Sequence, residues 1–131
     1  APFFLSQSAA PYLAKRQGSI INITDVHGAR PMKEHSVYSI SKAGLIMLTQ
    51  ALAKELAPSV RVNAVSPGAI LWPDQDNNEV DDNIKKTILS RIALHRPGTP
   101  EDIAETVLFF ANHPYITGQI LAVDGGRLLF I

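Results

Sequence analysis

Val60-Arg61-Val62-Asn63-Ala64-Val65, followed at once by Ser66-Pro67-Gly68, carries the fold. A short run rich in β-branched residues is a strand, and the Pro-Gly pair that cuts it off is a turn. Working upstream, Pro58 ends a long helical stretch from about Ser36 to Leu56. Before it, Ser19-Ile20-Ile21-Asn22-Ile23 is a second buried strand, bounded by Gly18 and a polar segment, and residues from about Phe3 to Lys15 form a helix. Downstream, a helix covers Asp82 to Ile92. Thr99-Pro100-Glu101-Asp102 starts another, with Thr99 as N-cap, Pro100 at the first helical position and acids in the first turn. That helix runs to about Ala111. Gln119 to Val123 is a last strand, stopped by Asp124-Gly125-Gly126. Strands alternating with helices predict an α/β domain with a parallel sheet covered on both faces. Three strands make a thin sheet, so the 131 residues read as the second half of a doubly wound domain whose crevice needs both halves.

Composition narrows the function. A hydrophobic fraction of 46% supplies a core and argues against disorder. Twelve basic and twelve acidic residues balance, which demotes binding to duplex nucleic acid by charge. There are no cysteines, hence no disulfides and no thiolate sites, in keeping with a cytoplasmic protein. No apolar run approaches the ~20 residues that span a bilayer. The opening Ala1-Pro2-Phe3-Phe4-Leu5, without Met or a basic leader, is expected of a piece of a longer chain.

Tyr38 and Lys42 stand four apart at the start of the long helix and share a face. An ammonium beside a phenol favours the phenolate, so Lys42 is expected to lower the Tyr38 pKa and suit it to proton transfer. Asp25, just past the end of the Ile20–Ile23 strand, can face the same crevice, and Ser66-Pro67-Gly68 closes the corresponding end of the next strand. The long helix carries two apolar stripes. Leu45, Leu48, Leu52 and Leu56 form one; Val37, Ile40, Gly44, Met47 and Ala51 form the other. Covering a sheet takes one stripe, so the second is left for a neighbouring helix or another subunit.

Asn22-Ile23-Thr24-Asp25, Tyr38-Ser39-Ile40-Ser41-Lys42, Arg61-Val62-Asn63-Ala64-Val65-Ser66-Pro67-Gly68, Thr117-Gly118 and Asp124-Gly125-Gly126 occur in that order. Together they resemble the C-terminal half of a short-chain dehydrogenase/reductase, with its Rossmann-like sheet. The family usually has Ser where Asp25 stands, thirteen residues before the tyrosine. An ionised carboxylate only accepts hydrogen bonds, so it cannot polarise a carbonyl oxygen, but it can stabilise a protonated ring nitrogen. In that respect the chain resembles the bacterial pteridine reductases, with the dihydromonapterin reductases as the nearest rival.

The resemblance implies an NADPH-dependent reduction of a pterin. Tyr38 relays the proton, Lys42 holds the nicotinamide ribose, and Asp25 pairs with Tyr38 and the pterin. Pro67, Gly68 and Ile70 line the nicotinamide pocket, and Leu71 and Trp72 meet the substrate. It also implies a homo-oligomer, a dimer of dimers. The Gly-rich phosphate turn is not among these residues, so the chain by itself is expected not to bind NADPH tightly or turn over. The alternative of another class is a non-catalytic fragment or assembly module.

Residues Leu71 to Ile84 are polar and acidic and are expected to be the most mobile part of the fold. A calcium loop starting at Asp74 would need Gly at its sixth position and Glu at its twelfth; Glu79 and Lys85 stand there, so no metal is expected. His27, His35, His95 and His113 show no metal-ligand spacing. Arg30 and Lys33 near the site could attract an anionic cofactor, but ordinary surface charge is the default reading.

Overall fold

The computed structural model describes residues 1–70 and 82–131. Three helices and two strands precede the last helix and strand: α1 (Pro2–Ala14), β1 (Ser19–Ile23), α2 (Ser36–Leu56), β2 (Arg61–Pro67), α3 (Asp82–Ser90), α4 (Pro100–Asn112) and β3 (Ile120–Val123). Single 3-10 turns follow β1 (Val26–Gly28) and β3 (Arg127–Leu129). The expected elements all form, with ends moved by a residue or two. The sheet has the order β1-β2-β3 and both pairings are parallel, Ile23 facing Val65 and Val65 facing Leu121.

β2 lies between two layers, and its alternating side chains show it. Val62 joins Leu52, Ala53 and Val60 in a buried cluster, closed by Leu13, Ile20, Leu48 and Leu56. Burying each such side chain contributes about 1.5–3 kcal/mol. On the other face, the Arg61 guanidinium donates to the carbonyls of Phe110 and Ala111 at the end of α4, at 2.8 and 3.0 Å. Asn63 is fully buried, donating to Ile116 O and accepting from Gln119 N. A polar side chain survives there because both its groups are matched.

The start of α4 is built as read. Thr99 Oγ1 accepts from Asp102 N at 3.2 Å, and Asp102 Oδ2 accepts from Thr99 N at 2.8 Å, a reciprocal cap. Arg96 adds an ion pair to the same carboxylate at 3.0 Å and holds its carboxyl down at about 2. At the C-terminal end of the sheet β2 and β3 approach closely. A Cβ on Gly68 would lie 2.7 Å from Asp124 Cβ, so only glycine fits.

Candidate active site

Three elements deliver the central residues to one point. Thr24 ends β1 by donating from its backbone N–H and its hydroxyl to Val65 O, at 2.8 and 3.1 Å, which ties the exit of β1 to β2. Asp25 follows in extended backbone and caps the 3-10 turn, its Oδ1 accepting from His27 N at 2.7 Å. That bond fixes the carboxylate and leaves Oδ2 facing α2. Tyr38, in the first turn of α2, donates its hydroxyl to Oδ2 at 2.8 Å. Lys42 lies one turn further, its Nζ donating to Ile23 O at 3.4 Å and standing 5.7 Å from the Tyr38 ring centre. Ser39, next to Tyr38 in the chain, is buried and accepts from Met32 N, which anchors the loop entering α2.

The expected depression of the Tyr38 pKa is overturned. Partial burial, the hydrogen bond to Asp25 and the charge of Asp25 push the phenol up to about 12. Partial loss of water is the largest cause, the carboxylate sitting on the hydroxyl adds to it, and the ammonium is spent on a backbone carbonyl further away. Tyr38 is therefore held as a protonated donor, not poised as a phenolate.

Pro67 closes β2, and the register that sets Ile23 against Val65 carries it to the same sheet end as Asp25. Gly68 donates to Val123 O, and Ile70 packs over Gly98, beside the bond from Gly98 N to Ala69 O. Leu71 and Trp72, and most of the stretch expected to be mobile, lie outside the described residues. His27 contributes its backbone N–H, while its Nδ1 meets Arg30 O at 3.0 Å. Among the described residues no cluster of His, Asp and Glu is arranged for a metal, and no helix is long and apolar enough to cross a membrane.

Sequence reasoning did not single out Arg127. Its Nη1 is shut off from solvent and has no acceptor among the described residues, an arrangement that costs about 1–3 kcal/mol when left unmatched. Burial and the charge of Arg91 push its pKa down, while Asp25 and Asp124 oppose the shift. The Asp-Gly-Gly-Arg spacing was visible, but nothing in it says that a guanidinium shares a field with Asp25.

A family profile described as enoyl-(acyl carrier protein) reductase matches residues 1–127. This chain belongs to the short-chain dehydrogenase/reductase family. Members of this family are oxidoreductases that use a nicotinamide cofactor. Among its relatives, the 3-oxoacyl-[acyl-carrier-protein] reductase FabG of Thermotoga maritima is 41% identical, over 97% of this chain and 52% of that protein. Carbonyl reductase family member 4 of Xenopus laevis is 41% identical, over 91% of this chain and 49% of its own length. A solved 4-hydroxyisoleucine dehydrogenase, complexed with NADH, superposes with a TM-score of 0.89 at 31% identity, over 98% of this chain and 55% of that one. The chain spans about half the length of the curated relatives it matches.

The residues present fit the nicotinamide end of such a cofactor. Lys42 has no carboxylate partner among the described residues and adjoins a half-exposed Tyr38, which leaves its ammonium able to hold ribose hydroxyls. The eight glycines form no dense turn before a helix, and among the described residues no such turn cradles a pyrophosphate.

Proposed function

We propose that this chain carries the proton-transfer half of an NADPH-dependent pterin reductase. The observation behind this is the 2.8 Å bond from Tyr38 Oη to Asp25 Oδ2. NADPH, when bound, supplies the hydride. Lys42 then orients the ribose, Pro67, Gly68 and Ile70 border the nicotinamide, and Leu71 and Trp72 meet the pterin. Asp25 accepts from an N–H of the substrate ring, which a carboxylate does and a serine hydroxyl does less strongly. Tyr38 gives its proton to the nitrogen of the C=N bond as that nitrogen gains an electron pair. The resulting phenolate faces a carboxylate and takes a proton back from solvent, to which Tyr38 is 38% exposed. The phosphate-binding half and further copies, packed on the outer faces of α1 and α2 as a dimer of dimers, complete this reading of a cytoplasmic enzyme.

The test is steady-state reduction by the intact enzyme of a dihydropterin and of a 3-oxoacyl thioester. The dihydropterin is expected to be the better substrate, and Asp25→Ser to lose pterin turnover. Unchanged pterin turnover in Asp25→Ser, or faster wild-type reduction of the thioester, overturns the reading. The second result would favour the activity named for the Thermotoga maritima relative.

A further inference from the structure

Asp25 and Tyr38 come from different elements, and those elements touch at Gly28. The turn after β1 is closed on itself. Gly28 N donates to Asp25 O at 2.9 Å, and Ala29 N and Arg30 N both donate to Val26 O at 3.0 Å. Val26 is buried, and Thr24 just before the turn is tied to Val65 O by two bonds. The turn is thus a small rigid unit with the Asp25 carboxylate at its head.

A Cβ on Gly28 would lie 2.9 Å from the carbonyl carbon and 3.0 Å from the carbonyl oxygen of Lys42, inside α2. It would also lie 2.9 Å from Ile46 Cδ1. The Ile46 methyl is the far end of a side chain and can rotate away. The Lys42 carbonyl belongs to the helix ladder and cannot. The φ of Gly28 lies outside the left-handed region, so the turn does not itself require glycine; the contact does. With only hydrogen at this position, the turn rests on the helix backbone one turn beyond Tyr38. There Asp25 Oδ2 meets Tyr38 Oη at 2.8 Å, and Lys42 Nζ reaches back to Ile23 O at 3.4 Å. Carbon contacts are comfortable from ~3.5 Å, so a side chain would push the turn back by about 0.5 Å, which is the whole tolerance of a positioned site.

We propose that Gly28 is a positioning residue of this site, setting the contact distance between the turn that carries Asp25 and the helix that carries Tyr38 and Lys42. This rests on the reading that the Asp25–Tyr38 pair handles the proton, and not on a pterin as the substrate.

Gly28→Ala is tested in the intact enzyme. With whichever of the dihydropterin and the 3-oxoacyl thioester the wild type reduces, kcat should fall by ~10–100-fold, the cost of a misplacement below about 1 Å, with KM kept within about threefold. The Tyr38 titration, followed at 295 nm against Tyr38→Phe, should move down from about 12 towards the ordinary ~10. Asp25 faces the phenol from the turn and Lys42 from its own helix, and losing the first while keeping the second acts in that direction. Ile46→Val removes the methyl and should leave kcat within about twofold of wild type, while Gly28→Ala combined with Ile46→Val should stay as slow as Gly28→Ala. A lower melting temperature with wild-type kcat and titration would make Gly28 merely structural and overturns the proposal. Recovery of kcat in the double variant also overturns it, because the methyl and not the helix backbone would then set the distance. Should Gly28→Ala fail to fold, the double variant is read in the same way, and failure of both to fold overturns the proposal. If the wild type reduces neither substrate, or Tyr38→Phe keeps its turnover, the proton-transfer reading falls by itself and the titration alone decides on Gly28.

Discussion

Leu48, Leu52 and Leu56 lie on one face of α2, and Val37, Ile40 and Met47 on another. The first set closes on β2 with Val60 and Val62, and Leu52 is 6% exposed. The second set is 80, 70 and 63% exposed, and a Cβ on Gly44 between them would touch nothing. The two faces have the same residue types, so hydrophobicity does not distinguish them. What distinguishes them is a partner. The inner face has a sheet, while the outer face stands open and is the surface proposed for a second copy. The functional turn belongs to the open side: Tyr38 reaches Asp25 from the exposed start of the helix, and the core would hold its shape without it.

That separation is testable, starting where the expected effect is greatest. Tyr38→Phe in the intact enzyme should cost turnover ~10²–10⁴-fold, the worth of a positioned proton donor. Its melting temperature should stay close to wild type; a large fall would mean that the functional turn also supports the core. Leu52→Ala should destabilise by about 2–5 kcal/mol in denaturant unfolding. Met47→Ala should stay within about 0.5 kcal/mol where the outer face is free, as exposed substitutions do, and should cost more at concentrations where the proposed second copy packs on it. A concentration-dependent loss for Met47→Ala as large as that for Leu52→Ala would show the outer face buried in an assembly, and would sharpen the comparison.

Asp25→Asn should move the titration of Tyr38 down from about 12 towards the ordinary value of ~10, followed at 295 nm with Tyr38→Phe as the blank. In the unsubstituted protein the sign is fixed by linkage. Because the folded state holds this proton more tightly, its contribution is complete below pH ~10 and is lost as the pH climbs through about 12. A titration that stays put in Asp25→Asn would leave burial as the whole cause. The smallest effect is expected far from α2. Thr99→Ala removes one half of the α4 cap and should cost about 1 kcal/mol in urea unfolding, with turnover unaffected.

Much of this was legible beforehand because it is local. The Pro-Gly turn after Val65 and the Thr99 cap with Pro100 behind it are patterns that backbone sterics and hydrogen bonding enforce within one or two turns, and the thirteen-residue interval from Asp25 to Tyr38 was legible through the strand-end rule and the family resemblance. They determined the elements, their parallel order and the convergence of Asp25, Tyr38 and Lys42. The protonation of Tyr38 was misjudged for the opposite reason. A spacing of four puts Lys42 on the same helix face, but the strength of a charge depends on distance. Only the folded chain sets Asp25 Oδ2 at 2.8 Å and sends the ammonium to Ile23 O.

By itself, then, the sequence determined which segments are helix and strand, and which three side chains meet at the end of the sheet. Tertiary structure alone decided which apolar face of α2 is covered, that partial burial together with Asp25 holds the proton on Tyr38, and that Arg127 keeps an Nη1 with no acceptor among the described residues. The elements rest on interactions between residues a few positions apart, and the meeting of the three side chains was read from their place at a strand end and a helix start. What tertiary structure decided rests on distances between residues that are neighbours only after β1, β2 and β3 have paired, and Coulomb and packing energies follow those distances.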